Sequence, residues 1–235
     1  MPSWKRILVL GDSLPLPRPR HGQPLDDTWP AHLKRKHPDL DLWVRAREAS
    51  TAFDVWEEFA KLSQSMAAFQ ALIIQVGIVD CCPRPYPFVV ERFLRAFLSH
   101  EAKRAVNRRL YTFPIRPWIS EGKFLNYLES VLTEAFAGNG TLFAVLVGIA
   151  PPAHGLLLKL PRAPRYVERY NLLLHDLAKN PKFGGRVALA DPFRPHPDET
   201  LLIADGHHLS ARGHRIVAES IDACLEQWLL GGMAG

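Results

Sequence analysis

The stretch Lys5-Arg6-Ile7-Leu8-Val9-Leu10-Gly11-Asp12-Ser13-Leu14 is a short apolar run that ends abruptly on small and polar residues. Four consecutive aliphatic residues are too few for a helix, and the flanking charge and glycine favour a buried parallel strand that ends at Gly11. In an open α/β sheet, ligands bind outside the carboxyl ends of the strands. Ser13 is therefore placed for chemistry, although Asp12 and Ser13 could instead cap a following helix.

The composition of the chain limits its class. Its 235 residues are 47% hydrophobic, which suffices for a sizeable core, and we expect a single domain over residues 1–235. The formal charge of +5 comes from arginines scattered along the chain rather than from one basic block. Because no nucleic-acid motif accompanies them, we expect no nucleic-acid partner and only a weak preference for anionic partners.

The cysteines and the apolar segments predict a compartment. Cys81, Cys82 and Cys224 form neither a disulfide framework nor a metal-ligand spacing, so we expect reduced thiols, no metal and no cofactor. The adjacent pair could suggest a thiol nucleophile, but nothing pairs it with a base, which favours packing. The first apolar run is too short for a secretory signal, and no segment approaches a membrane span. The sequence predicts a cytoplasmic protein and leaves its oligomeric state open.

Apolar runs alternate with segments of helical period along the rest of the chain. Strands are predicted at the first run and at residues 41–47, 69–76, 141–149 and 186–190. Helices are predicted at residues 28–36, 51–63, 88–111, a segment ending near 138–140, 166–177 and 210–230. Strands that alternate with helices in this way predict a doubly wound parallel sheet in a three-layer α/β/α arrangement, with right-handed crossovers.

Proline-rich loops follow several of the predicted strand ends. Residues 14–22, 78–87 and 151–155 contain prolines that remove backbone donors and restrict the preceding residue, so we expect irregular structure there. These loops would bring polar side chains to the same crevice as Ser13, namely Arg18, Arg20, Asp80, Arg84 and His154.

The loop before the last predicted helix reads Ala204-Asp205-Gly206-His207-His208-Leu209-Ser210. A serine hydroxyl is a weak nucleophile unless a histidine accepts its proton, and a carboxylate best fixes that histidine. Ser13, His208 and Asp205 fit these roles. The alternative is that Asp205 is a surface turn residue, Ser210 a helix cap and the histidines ordinary loop residues.

Gly11-Asp12-Ser13-Leu14 and Asp205-Gly206-His207-His208-Leu209-Ser210 together resemble the motifs of the GDSL or SGNH hydrolase superfamily. They bracket nearly the whole chain, in the order found in that superfamily. The resemblance implies a five-stranded flavodoxin-like domain that hydrolyses esters. It also implies that Ser13 is the nucleophile, that His208 is the base and that Asp205 orients it. His207 lies at a position that varies in the superfamily and receives no role.

The chain departs from that pattern at the expected oxyanion hole. Members of the superfamily usually offer the serine amide, a glycine amide after the second strand and an asparagine side chain after the third. Here Gly77-Ile78-Val79-Asp80 has valine at the asparagine position. Residues 47–51 contain no glycine, although an amide of Ala49 or Ser50 could point inward. Because losing one donor costs on the order of a hundred- to a thousandfold in rate, either another group substitutes or the activity is weak or altered.

Arg84 is our candidate for the substitute, since its guanidinium can donate two hydrogen bonds to an oxyanion or an acidic group. The alternative is that Arg84 pairs with Asp80 and braces the loop, and Arg18 and Arg20 present the same choice. Arginines near one crevice suggest a polar or anionic substrate. His154 could line the rim, although a lone loop histidine is more often structural.

The sequence therefore predicts a serine esterase that cleaves a small acyl ester through an acyl-enzyme on Ser13. Its partner would be a small-molecule or glycan ester, and removal of an O-acetyl group from a carbohydrate or glycan precursor is the most concrete version. Acyl transfer to an acceptor hydroxyl would use the same three residues. A non-catalytic binding protein is the third possibility: the missing asparagine favours it, and the intact Ser13, His208 and Asp205 argue against it.

Overall fold

The computed structural model describes residues 6–84, 90, 97–99, 116–194 and 198–231. Its strands are β1 (Arg6–Gly11), β2 (Asp41–Ala46), β3 (Ala71–Gln75), β4 (Pro83–Arg84), β5 (Arg116–Pro117), β6 (Phe143–Val147) and β7 (Val187–Ala190). Five of them form one parallel sheet in the order β2-β1-β3-β6-β7, and β4 pairs with β5 in a separate antiparallel ribbon. This is the flavodoxin-like order, and the predicted doubly wound sheet is confirmed.

Helices cover both sides of the sheet. They are α1 (Trp29–Lys36), α2 (Ala52–Leu62), α3 (Ile78–Cys81), α4 (Glu121–Gly138), α5 (His154–Leu157), α6 (Ala163–Ala178) and α7 (Ala211–Gly231). Helix α1 packs on α7, while α2 and α6 both pack on α4. No helix in the described part of the chain combines the length and the apolar character needed to cross a lipid bilayer.

Burial explains the two kinds of strand pattern in the sequence. The central strands β1, β3 and β6 are almost wholly buried, which accounts for their unbroken aliphatic runs. Strand β2 forms one edge of the sheet and is mostly exposed, with Trp43 38% and Val44 37% accessible. Its alternating residues therefore suit an edge strand.

The structure differs from the predicted elements in two loops. Residues 78–81 form the short helix α3, because Gly77 adopts a φ of +134° and its carbonyl accepts the amide of Cys81 at 2.8 Å before Pro83 ends the turn. Helix α5 likewise begins inside the predicted 151–155 loop. The helix predicted at 88–111 falls almost entirely outside the described residues.

Candidate active site

Ser13 follows β1 in a turn that the neighbouring backbone holds tightly. A side chain at Gly11 would place its Cβ 2.8 Å from the carbonyl oxygen of Gln75, so only glycine permits this approach of β1 to β3. The amide of Asp12 donates to that same oxygen at 3.0 Å. The amide of Leu14 donates to the Asp12 carboxyl group at 2.8 Å. Ser13 is thereby fixed at the carboxyl end of the sheet, where it borders a cavity.

Ser13, His208 and Asp205 form a continuous hydrogen-bonded chain. Oγ of Ser13 lies 2.9 Å from Nε2 of His208, and Nδ1 of His208 lies 2.6 Å from Oδ2 of Asp205. The amides of His207 and His208 both donate to Oδ1 of Asp205 at 3.0 Å. An ionised Asp205 holds the imidazole with its proton on Nδ1, so that Nε2 carries the lone pair that can accept the serine proton.

The hydrogen bonds at Asp205 favour its charged form. Burial alone would raise the pKa of Asp205, but the bonds from the His208 ring and from the amides of His208 and His207 outweigh it, and the pKa falls below its usual value. The ring of His207 lies beside that of His208, tilted by 43°, with ring centroids 4.1 Å apart. Burial, followed by the charge of His208, lowers the pKa of His207. Near pH 7 this loop therefore carries a carboxylate at Asp205 and a neutral imidazole at His207.

Two glycines let the loop that carries His208 rest directly on another backbone segment. A Cβ at Gly206, whose φ is +80°, would lie 2.5 Å from the amide nitrogen of Leu156. One at Gly155 would lie 2.1 Å from the carbonyl oxygen of Ala204. The amide of Ala153 also donates to the Gly206 carbonyl at 2.9 Å. The backbone at the beginning of α5 therefore packs against the loop that carries His208 and supports it.

His154 is exposed at the start of α5 and does not line the cavity beside Ser13. We expected it at the rim of the site. Its neighbour Gly155 packs against the Ala204 backbone, so this turn serves as a support and the histidine side chain lies elsewhere. The structure does not bring His154 to Ser13.

Ala49 has a backbone amide left unpaired by the described residues, where the sequence pattern calls for a glycine. Among the described residues other than glycine, Ala49 alone has a positive φ, of 56°, and it lines the cavity with Ser13. The amide of Ser50 donates to the carbonyl of Arg47 at 3.3 Å, whereas the amides of Ala49 and Ser13 have no hydrogen-bond partner among the described residues. Of the two predicted amides, Ala49 is thus the one left available to a ligand.

The cavity at Ser13 has a volume of about 670 Å³ and two kinds of wall. Its apolar side chains include Ile78, Val79, Leu156, Leu158 and Leu160. Its charged side chains are Arg18, Glu48 and Lys159. Val79, at the position where asparagine was expected, lines the cavity but has no group that can donate a hydrogen bond.

Asp80 does not face this cavity, contrary to our expectation. It is fully buried, and its Oδ1 accepts the amide of Ala52 at 2.9 Å, which fixes the start of α2. The short helix α3 turns the carboxyl group inward in this way. Burial raises the pKa of Asp80 well above its usual value, and the nearby charge of Asp12 raises it further.

The three predicted arginines differ in what the structure describes. The guanidinium of Arg18 reaches the site, with Nη2 2.7 Å from Nε2 of His208 and Nη1 3.0 Å from Oε1 of Glu48. Arg20 is exposed on the short 3-10 helix Pro19–His21. The backbone of Arg84 pairs with Arg116 in the small ribbon, but the Arg84 side chain lies outside the described part of the structure.

Some site residues have no signal in the sequence. Nothing in the sequence marks Glu48 as a site residue except its position after β2. The Leu156–Leu160 wall lies in a segment without a clear period. Gln23, whose side chain donates to the carbonyl of Leu209, anchors the proline-rich loop to the loop that carries His208. A pattern of alternating or helical period does not detect such single contacts.

Among the residues that the structure describes, two groups of side chains have ligand atoms close enough to hold a metal ion. Asp205, His207 and His208 form one, and their atoms lie within 4.8 Å of one another. The hydrogen bonds of Asp205 already account for that arrangement. His37, Asp222 and Glu226 form the other, which Lys36 joins through ion pairs. Neither group therefore requires a metal to explain its geometry.

Solved structures of other proteins share the fold of this chain. No family model matches the chain, and no curated protein matches it by sequence. Its structure is similar to that of TesA, with a TM-score of 0.63 at 17% identity over 95% of this chain and 99% of the other. It is similar to a carbohydrate esterase family 3 protein from Talaromyces cellulolyticus, with a TM-score of 0.65 at 13% identity, covering 94% and 96%.

A third similar structure is the psychrotrophic esterase EstA from Pseudoalteromonas sp., solved in a form inhibited by monoethylphosphonate. The TM-score is 0.61 at 15% identity, and the match covers 96% of this chain and 98% of that one. GDSL-like lipases from Bacteroides thetaiotaomicron and Parabacteroides merdae share the fold as well. The resemblance stated from the two sequence motifs is therefore confirmed at the level of the fold.

Proposed function

We propose that this chain, which has the fold of the SGNH hydrolases, is a serine ester hydrolase with Ser13 as its nucleophile. The observation that carries the proposal is the chain of contacts from Ser13 to His208 to Asp205, at 2.9 and 2.6 Å, at the carboxyl end of the sheet. Ester hydrolysis by the proteins of similar structure supports it. The same contacts argue against a non-catalytic binding protein.

The proposed reaction has two halves. His208 accepts the proton of Ser13 as Oγ attacks the ester carbonyl, and the resulting imidazolium is stabilised by Asp205. When the carbon–oxygen bond to the alcohol breaks, His208 returns that proton to the leaving oxygen and an acyl-Ser13 ester remains. A water molecule, deprotonated by His208, then attacks the acyl-enzyme. This step releases the carboxylic acid and regenerates the Ser13 hydroxyl.

The oxyanion of each tetrahedral intermediate needs hydrogen-bond donors. The unpartnered amides of Ser13 and Ala49 are the donors that we assign. Val79 adds none, so we expect a slower reaction than a complete hole would give. Arg84 remains our sequence-based candidate for a third donor.

The substrate that we propose is a small acyl ester, and an O-acetyl group on a carbohydrate or glycan precursor is its most concrete form. The apolar lining of the cavity suits an acyl group, and its charged side chains suit a polar alcohol. Two similar structures are named as a carbohydrate esterase and an acetyl xylan esterase, and these names support a carbohydrate alcohol.

Labelling with a fluorophosphonate tests the nucleophile directly. We expect the reagent to modify the wild-type protein at Ser13, identified by mass spectrometry of the peptide, and to leave Ser13→Ala unmodified. Ser63→Ala is a matched control because its hydroxyl lies at the far end of α2, where it donates to the Ala60 carbonyl. Modification of Ser13→Ala to the wild-type extent, or none in the wild type, would reject the proposal.

A further inference from the structure

The guanidinium of Arg18 is held inside the site. Its side chain is only 18% exposed, and its two contacts join Nε2 of His208 to the carboxylate of Glu48. Its Nε is buried without a hydrogen-bond partner in the described part of the chain. A cation placed in this way has donor capacity that the protein itself does not fill.

Arg18 and Ser13 compete for one lone pair. With the His208 proton on Nδ1, facing Asp205, only Nε2 can accept a hydrogen bond. Arg18 donates to that atom at 2.7 Å, and the Ser13 hydroxyl lies 2.9 Å from it. Proton transfer from Ser13 would also place an imidazolium directly against the guanidinium. The resting arrangement therefore opposes the first step of the reaction.

The backbone beneath Arg18 is anchored, so only the side chain has to move. Arg18 and Gln23 form an isolated β-bridge through hydrogen bonds of 2.8 and 3.1 Å. The side chain of Gln23 in turn donates to the carbonyl of Leu209, next to His208. A rotation of the Arg18 side chain can thus release His208 without disturbing this loop.

The charged side chains that line the cavity do not balance. The lining residues include two cationic side chains, Arg18 and Lys159, and one carboxylate, that of Glu48. The Glu48 side chain is 70% exposed, and an ion pair with such an exposed partner contributes little. An anionic group on a ligand would therefore compete well for the Arg18 guanidinium, which binds carboxylates and phosphates in a two-pronged fashion.

We propose that Arg18 is a specificity residue that shields His208 in the free protein and is drawn away by an anionic group on the alcohol part of the ester. The alcohol side is indicated because Nε2 of His208, which Arg18 contacts, delivers the proton to the leaving oxygen. This inference rests on the proposed function and names the substrates that such an enzyme prefers.

A matched pair of chromogenic esters tests the preference. We choose 3-carboxy-4-nitrophenyl acetate and its neutral analogue 3-carbamoyl-4-nitrophenyl acetate, and measure kcat/KM for each. We expect the wild type to prefer the anionic ester by about tenfold or more, and Arg18→Gln to bring the ratio close to one. We also expect Arg18→Gln to raise kcat on the neutral ester, since the base is then free. Arg20→Gln, which alters an exposed arginine two residues away, should keep the wild-type ratio.

A second variant avoids any dependence on the folding of Arg18→Gln. Glu48→Gln changes an exposed side chain and removes the competing partner of Arg18, so we expect the anionic preference to increase. The role of Arg18 is overturned if the ratio is unchanged in Glu48→Gln, or if a folded Arg18→Gln loses activity equally on both esters. Neither result overturns the proposed function. A wild type that hydrolyses neither ester and takes no fluorophosphonate overturns the proposed function, and this inference with it.

Discussion

Ala49 and Val79 line the same cavity as Ser13: Ala49 has a left-handed backbone with an amide that no described residue accepts, and Val79 has a side chain that cannot donate. The first retains what a glycine would supply at that position, an amide that is free to bind. The second lacks what an asparagine would supply. The predicted oxyanion hole is thus changed in two different ways.

Ala49→Gly should stabilise the protein. A residue with a Cβ at a φ of 56° carries a strain of about 1 kcal/mol that glycine does not have, and the amide stays in place. We expect a higher midpoint in urea unfolding and unchanged esterase activity. Ala49→Val, with a branched side chain at the same φ, should lower the midpoint. A less stable Ala49→Gly variant would contradict the assignment of strain to this residue.

Val79→Asn should increase the rate if the oxyanion hole lacks one donor. A side-chain amide at this position could add a hydrogen bond to the oxyanion, and we expect kcat to rise by roughly tenfold or more. Val79→Ala, which removes the methyl groups without adding a donor, is the control and should not show this gain. The readout is hydrolysis of 4-nitrophenyl acetate.

Arg84→Ala distinguishes the alternative drawn from the sequence. If Arg84 already acts as the third donor, Val79→Asn should change little, and Arg84→Ala should cost about 2 to 3 kcal/mol of transition-state stabilisation. If Arg84 only braces its loop, kcat in Arg84→Ala should stay near the wild-type value. The two variants together therefore decide which donor is missing.

Ser13→Ala and His208→Ala should each abolish turnover of an activated acetyl ester. In the proposed mechanism the two residues act as a unit, so removing either one removes most of the acceleration. Steady-state assays with 4-nitrophenyl acetate measure the loss, and circular dichroism checks that each variant is folded. Activity close to wild type in either variant would rule out the assigned roles.

His214 should make the protein less stable in mild acid. It is buried, and its Nδ1 accepts the amide of Trp29 at 3.2 Å. Burial, followed by the charges of His32 and His208, lowers the pKa of His214 to about 4. The unfolded chain binds a proton at this residue below about pH 6.5, while the folded chain does not until about pH 4. Stability is therefore lost as the pH falls through this window, by about 3 kcal/mol at most.

The comparison with His214→Asn isolates that contribution. We expect the free energy of unfolding of the wild type, relative to the variant, to decrease between about pH 6.5 and 4 and to be constant above it. Urea unfolding at a series of pH values measures it. A difference that does not depend on pH would show that His214 titrates normally in the folded state.

Asp12 should produce the opposite slope. Burial raises its pKa to about 7, against the smaller lowering effects of the Leu14 amide and the Arg18 charge. Between about pH 4 and 7 the folded state keeps the proton that the unfolded state releases, so stability decreases as the pH rises, by about 4 kcal/mol at most. Asp12→Asn can still accept a hydrogen bond from the Leu14 amide. In the same unfolding assay, its free energy of unfolding relative to the wild type should rise as the pH rises through this range.

The sequence predicted the sheet and the three catalytic candidates because both depend on local patterns. The aliphatic run before Gly11 marks β1, and the serine and histidine motifs stand next to elements whose ends meet in a parallel sheet. Residues whose role depends on where the side chain points were harder to predict. Prolines show that a loop is irregular but not where its side chains point, so Arg18 could not be distinguished from Arg20.

Asp80 and Ala49 show why the rest of the site could not be predicted from the sequence. The inward turn of Asp80 depends on one helical turn after Gly77, and the prolines at 83, 85 and 87 made this segment look like an irregular loop. The left-handed backbone of Ala49 has no marker in the sequence, since glycine or asparagine is the usual sign of such a φ.

The contact between Gly155 and the Ala204 backbone limits how this protein can acquire new substrates. Helix α5 supports the loop of His208 and, through Leu156, begins the apolar wall of the cavity. Insertions or deletions here would shift His208, the proposed general base, together with the lining of the cavity. Substrate range can therefore diverge through side-chain replacements at Leu158 or Leu160, whereas changes in the length of this segment would abolish activity before they altered selectivity.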